Sequence, residues 1–184
     1  AAAITSSDLL NMSRDDSREL AKANQVIYVY HNQIDAIGDD KKTEGRVFEA
    51  SQSALGEIVD ILKKLAGANL TNIIITSDHG FVYQNQALDE SDFAAKDVEG
   101  KEIIYRNRRF VIGKGLKPND SMKNFKASEL DLSGDFQVMI PKSINRLRQQ
   151  GSGSRYVHGG AALQEVIVPV IKVNKKRSSD ILFV

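Results

Sequence analysis

Cysteine is absent from all 184 residues. That excludes disulfides, thiolate zinc sites and thiol catalysis, and it fits a reducing compartment. No apolar run approaches the ~20 residues that a membrane-spanning helix needs. Neither sign of charge dominates: the net charge is +1, so any pull toward nucleic acid or an anionic membrane has to come from local clusters. Residues 1–7 lack the charged-then-apolar layout of a signal peptide. The reading is of a cytoplasmic protein with no membrane partner. The opening Ala1-Ala2-Ala3 looks arbitrary and suggests a piece of something longer. What is present is ordinary, with 41% hydrophobic and 27% charged residues. The length suits one well-buried domain better than two.

Along the chain, residues 7–22 are polar and helix-permissive, with Asp8 placed to cap a short helix. Val26-Ile27-Tyr28-Val29-Tyr30 is a compact β-rich run of the kind buried on both faces of a parallel sheet. A helical stripe over residues 43–65 follows, carried by Val47, Phe48, Leu55, Ile58, Val59, Ile61, Leu62 and Leu65, with Gly67 placed to stop it. Asn72-Ile73-Ile74-Ile75-Thr76 then predicts a second buried strand. Strand, helix and strand make a βαβ unit with a right-handed crossover. The fold class expected is therefore α/β, a mainly parallel sheet flanked by helices. An irregular insertion is expected over about residues 87–134, with a loose strand across 103–112. Phe136-Gln137-Val138-Met139-Ile140 reads as a strand, residues 142–150 as a short basic helix, and Gly151-Ser152-Gly153-Ser154 as a flexible link. Residues 166–173 read as strand-like, with Pro169 favouring an edge or a strand end.

In open α/β sheets ligands gather outside the carboxyl ends of the strands. Asp35 follows the first strand and Asp78-His79 the second, so the order of elements puts both turns on one rim. Carboxylate oxygen and imidazole nitrogen are standard ligands for zinc and similar divalent ions. Two such ions about 4 Å apart can clamp the attacking and leaving oxygens of a phosphoryl group. Gly80 lets the backbone turn after Asp78-His79. Each motif also has a plain structural reading. Asp39 or Asp40 could cap the following helix, a single histidine could be a hydrogen-bonded structural residue, and His158-Gly159-Gly160 could be only a loop.

Ser77-Asp78-His79-Gly80-Phe81 after an isoleucine-rich strand resembles the Asp-His-Gly signature of the alkaline phosphatase superfamily. Asp35-Ala36-Ile37-Gly38-Asp39 resembles its Asp-x-x-Gly-His turn, and His158-Gly159-Gly160 before Leu163-Gln164-Glu165-Val166-Ile167-Val168-Pro169 resembles its last metal-binding histidine. The whole run resembles the PglZ family, associated with BREX-type phage defence. The resemblance implies the carboxy-terminal part of an alkaline-phosphatase-like core over residues 1–184. It implies two divalent ions, zinc foremost with manganese or magnesium as alternatives. Asp78 and His79 would bind one ion, and Asp35 and His158 the other. Asp39 stands where many members carry histidine and is a further candidate ligand. The resemblance also implies a Thr or Ser nucleophile upstream of these segments, leaving this chain inactive by itself. His31 has no counterpart and reads either as a donor to a ligating carboxylate or as a structural residue.

Arg106, Arg108, Arg109 and Lys114 form one basic cluster, and Arg146, Arg148 and Arg155 another. Beside a two-metal site, Arg108, Arg109 and Arg155 could clamp a phosphate or track a nucleic-acid backbone. Otherwise they are solvated surface, as Lys175-Lys176-Arg177 is expected to be. The activity implied is phosphoester hydrolysis, by a phosphatase or phosphodiesterase. Its expected partners are a phosphoester substrate, nucleic acid among the candidates, and other defence proteins such as a DNA methyltransferase. The competing classes are a non-catalytic docking module of a defence complex and a nucleic-acid-binding domain without catalysis.

Overall fold

The computed structural model describes residues 1–94, 97–150 and 153–176. In chain order these form β1 (Ala2–Thr5), α1 (Ser6–Asn11), α2 (Arg14–Ala23), β2 (Ile27–Tyr30), α3 (Gln33–Gly38), α4 (Val47–Gly67) and β3 (Asn72–Thr76). They continue with β4 (Val82–Tyr83), β5 (Glu102–Arg106), β6 (Val111–Lys114), β7 (Met122–Lys126), β8 (Gln137–Pro141), β9 (Tyr156–Val157), α5 (Leu163–Val166) and β10 (Val170–Asn174). The chain divides into two compact units. The first comprises Ala1–Ala36, Phe48–Ser77 and Pro169–Val184, the second Ile37–Val47 and Asp78–Val168. Among the described residues no helix is long and apolar enough to cross a membrane.

In the first unit the expected strands and long helix are present. The polar amino-terminal stretch makes two helices instead of one. Thr5 caps the first by accepting from the Asp8 amide at 3.1 Å, and Ser13 caps the second by accepting from the Asp16 amide at 3.1 Å. Each hydroxyl satisfies an amide that the first helical turn leaves without a partner. Asp8 is thus a capped residue, not the cap. At the end of α4 the left-handed position is taken by Asn69 (φ 67°), two residues beyond Gly67. Leu9, Ile61 and Leu65 form the buried centre, with Ile4, Val29, Leu70 and Ile73 packed on it. His31 approaches Glu57 of α4 with Nε2 3.4 Å from Oε2, too poorly aligned for a hydrogen bond. Its surroundings favour the structural reading.

A mainly parallel sheet is not what these strands build. β1 pairs with β2 in parallel, from Ala2↔Ile27 to Thr5↔Tyr30. β3 pairs with β10 antiparallel, from Asn72↔Asn174 to Thr76↔Val170. The two strands flanking α4 therefore lie in separate two-stranded ladders, because each takes its hydrogen bonds from a terminal strand. Nor are they buried on both faces. Tyr28 and Tyr30 are 56% and 64% exposed, and Ile74 is 65% exposed, so alternate side chains of each apolar run point to water.

The second unit departs most from expectation. The stretch expected to be irregular, 87–134, contributes three of the four strands of an antiparallel sheet in the order β5-β6-β8-β7. The expected strand over 103–112 is a hairpin, with the Asn107 amide donating to the Phe110 carbonyl at 2.9 Å. Val111, Met122, Met139, Leu116, Leu147 and Val98 make its core. No helix forms over 142–150: Ser143 has a left-handed φ of 55°, and Arg146 is fully buried. Burial pushes the Arg146 pKa down to about 10, with the nearby Arg109 charge adding to the effect. Arg146 still carries its charge at neutral pH.

In the expected flexible link, Gly151 and Ser152 lie outside the described residues. Gly153 is buried and its carbonyl accepts from Arg108 Nη1 at 2.8 Å. Arg177 of the expected tail also lies outside them. Lys175 is tied down within the first unit, with Nζ donating to the Ala66 carbonyl at 2.8 Å.

Candidate metal centre

A short ladder sets the site. β4 and β9 pair antiparallel with Val82 opposite Val157 and Tyr83 opposite Tyr156. Val82, Tyr156 and Val157 are all buried, so both faces of this short ladder are covered. Antiparallel pairing brings the residues before Val82 alongside those after Val157. The Asp78-His79-Gly80 turn and the His158-Gly159-Gly160 turn are thereby made neighbours. Their imidazoles stack, with centroids 4.2 Å apart and planes within 5°. The Tyr156 ring meets His158 edge-on at 6.0 Å.

The donors are oriented. His79 Nδ1 lies 3.0 Å from the Gly80 carbonyl oxygen. A carbonyl only accepts, so the proton sits on Nδ1 and Nε2 is the ring nitrogen that could ligate a metal. That Nε2 is 3.9 Å from Asp78 Oδ2, while Asp78 Oδ1 accepts from the His79 amide at 3.0 Å. His158 Nε2 is 3.5 Å from Asp39 Oδ2. Two donors sharing a tetrahedral zinc ion at about 2.0–2.1 Å each stand about 3.4 Å apart. Nitrogen and oxygen donors at these spacings fit a divalent ion. Asp35 belongs to the first unit, in the first turn of α3, four residues ahead of Asp39.

The three arginines expected to contact substrate are engaged inside the second unit. Arg108 Nη2 donates to Asp39 Oδ1 at 2.8 Å, so the carboxylate facing His158 is partly neutralised. Arg155 donates from Nε to the Gln84 carbonyl at 2.9 Å and from Nη2 to Tyr83 Oη at 3.3 Å. Arg109 is 0% exposed. It forks onto Glu165, from Nε to Oε1 at 2.8 Å and from Nη2 to Oε2 at 2.7 Å, and also donates to the carbonyls of Ser143 and Asn145. The expectation that Arg109 meets a phosphate gives way to a buried structural role, because its donors are spent on the fold. The rest of the basic clusters is also partnered: Arg106 with Asp97, Arg148 with Glu90, and Lys114 with Glu102.

Glu165 is the residue that the sequence reading passed over. A single carboxylate inside Leu163-Gln164-Glu165-Val166-Ile167-Val168 was the available signal, since a charge in an apolar run requires a partner. Burial raises the Glu165 pKa. The Arg109 hydrogen bonds and charge, with the amides of Gly160 and Ala162, outweigh burial and hold it below the usual 4.5. A carboxyl held low in the folded state stabilises fully above its unfolded value and stops doing so as pH falls through the folded one. The urea midpoint difference between wild type and Glu165→Gln should therefore be constant above about pH 5 and shrink on acidification below about pH 4.

Gly80 serves by close approach. A Cβ there would collide with the Gln164 carbonyl oxygen, at the point where the Gly80 amide donates to the Glu165 carbonyl at 2.9 Å. Gly80→Ala should lower stability by about 1–3 kcal/mol, measurable as a reduced urea midpoint at unchanged m-value.

The sequence pattern of the family described as "BREX system PglZ alkaline phosphatase-like domain" matches residues 1–173. The chain belongs to the PglZ family. It is 39% identical over 173 residues to "Alkaline phosphatase-like protein BrxZ" of Escherichia coli O9:H4 (strain HS), covering 93% of this chain and 20% of that protein. It is also 39% identical over 181 residues to "Alkaline phosphatase-like protein PglZ" of Bacillus cereus (strain H3081.97), covering 97% and 21%. This PglZ-family chain thus spans about a fifth of the length of the curated relatives it matches.

Proposed function

We propose that this chain supplies metal ligands to a metal-dependent phosphoester hydrolase, a phosphatase or phosphodiesterase, within a phage-defence system. The observation that carries the reading is the stacked His79 and His158 pair, drawn from two separate motif turns, with a carboxylate beside each Nε2. Asp78 and His79 are assigned to one divalent ion, with zinc first and manganese or magnesium as alternatives. His158 and Asp35 are assigned to a second, with Asp39 as a further ligand. Asp35 lies in α3, and Asp39 directly follows that helix's last residue, Gly38.

Bound ions would polarise phosphoryl oxygens and stabilise charge on the attacking and leaving groups. The chain's own residues orient the donors. The Gly80 carbonyl holds the His79 tautomer, Tyr156 walls His158, and Arg108 fixes Asp39. Arg155, half-buried just before β9, remains the proposed phosphate contact. No residue of this chain is assigned as nucleophile. The substrate is proposed to be a phosphoester, with nucleic acid as one class, and the partners other defence proteins such as a DNA methyltransferase.

Calorimetric zinc titration of the full chain, followed by phosphomonoester and phosphodiester turnover by the longer protein carrying it, tests the reading. Zinc should bind, and Asp78→Ala should abolish turnover. The second reading is a non-catalytic docking module in the same fold. It is favoured by one observation, the ion pair that ties Asp39 to Arg108. Neither zinc binding nor turnover would be the result that selects it.

A further inference from the structure

The buried ion pair between Arg109 and Glu165 stands outside the candidate ligand set, yet it touches both histidine turns. Glu165 Oε1 accepts from the Gly160 amide at 3.0 Å, and Oε2 accepts from the Ala162 amide at 3.1 Å. Gly160 follows His158 by two residues. The Glu165 carbonyl accepts from the Gly80 amide, and the Gly80 carbonyl is the oxygen against His79 Nδ1. One residue therefore holds the His158 turn with its side chain and the His79 turn with its backbone.

Arg109 sets the orientation of that residue. Its fork onto the Glu165 carboxylate leaves one carboxylate direction for each amide, and its contacts with the Ser143 and Asn145 carbonyls anchor the guanidinium. The fit is tight. A Cβ on Gly160 would stand 2.6 Å from both Arg109 Nε and Nη2, and 2.7 Å from Glu165 Oε2. A bidentate buried pair fixes position more narrowly than a single hydrogen bond would.

We propose that Arg109 and Glu165 are positioning residues, a buried clamp that sets the separation of the His79 and His158 imidazoles for metal binding. The proposal deepens the metal-centre reading and rests on it. The clamp touches no metal or substrate itself. Its effect passes through Gly160 to His158 and through Gly80 to His79, as outer-shell partners of ligands do.

Zinc affinity of the full chain, measured by competition with a chromophoric chelator, is compared between wild type, Glu165→Gln and Arg109→Lys. Each variant's fold is checked by the cooperativity of its zinc-free melt. Folded variants should bind zinc about 10–100-fold more weakly and give a cobalt spectrum altered in the visible region. Where a single variant fails to fold, the double variant Arg109→Met with Glu165→Met removes both charges at once and should show the same loss. A measurement on the wild type needs no variant. If the clamp and the ligands are coupled, zinc must strengthen the clamp as much as the clamp strengthens zinc binding. Zinc should then slow hydrogen exchange of the Gly80, Gly160 and Ala162 amides at least about tenfold relative to those of β6 and β8. Wild-type affinity in a folded variant, or exchange unchanged by zinc, overturns the clamp and leaves the metal centre standing. No zinc binding by the wild type overturns both.

Discussion

His79→Ala should lower the zinc affinity of the full chain at least about 100-fold, and His158→Ala should do the same. Outer-shell changes alone cost 10–100-fold, and loss of an inner ligand from a three- or four-donor set costs more. The two imidazoles are stacked at 4.2 Å, so a single ion drawing on either ring feels the other as a wall. Removing one ring takes away a donor and lets the remaining ring tilt. The double substitution should weaken binding further than either single one, because the two histidines are assigned to different ions. His31→Ala is the internal control. That histidine sits against Glu57 in the first unit, and its loss should change zinc affinity by less than about twofold. Competition with a chelator of known affinity checks all four proteins. An unchanged affinity in either single variant removes that histidine from the ligand set.

Glu165→Ala should cost about 3–5 kcal/mol of folding stability. Breaking a buried ion pair by deleting one partner leaves the other charge without compensation, and here the survivor is a guanidinium that is 0% exposed. Two backbone amides, at Gly160 and Ala162, also lose their acceptor. Arg109→Met should be less severe. Glu165 then keeps both amides and can lower its charging cost by taking up a proton. Replacing both residues by methionine should recover much of the loss, as apolar pairs of similar volume often do in place of a buried ion pair. Chemical denaturation of wild type, Arg109→Met, Glu165→Met and the double methionine variant at neutral pH, with a common m-value, closes the cycle, and Glu165→Ala is measured beside it.

The long helix and its two flanking strands were legible because periodicity declares them. The buried stripe through Val47, Ile61 and Leu65 carries the helical period, and the run Ile73-Ile74-Ile75 the strand. Sheet direction was not legible. It depends on β1 and β10, whose pairing is settled by distant partners and not by their own residues. The antiparallel sheet escaped for a related reason. β5 and β7 carry charged or polar residues at their ends and middles, as in Glu102-Ile103-Ile104-Tyr105-Arg106 and Met122-Lys123-Asn124-Phe125-Lys126, so neither shows a clean apolar run.

At the site, His79 and His158 could be named from their motifs and do meet. Asp39 could be named too, but its ion pair with Arg108 spans 69 positions of sequence. Arg109 looked like surface because it occupies a hairpin turn. Only its partner, 56 residues away, explains why it is buried.

Gly80 changes what the Asp-His-Gly motif means. The aspartate and histidine can be justified by a metal, but the glycine answers to a neighbouring carbonyl at residue 164. A descendant that had lost its metal, and with it any reason to keep the first two letters, would still be obliged to keep the third. The motif is two inheritances written side by side, one chemical and one steric, and they can be lost separately.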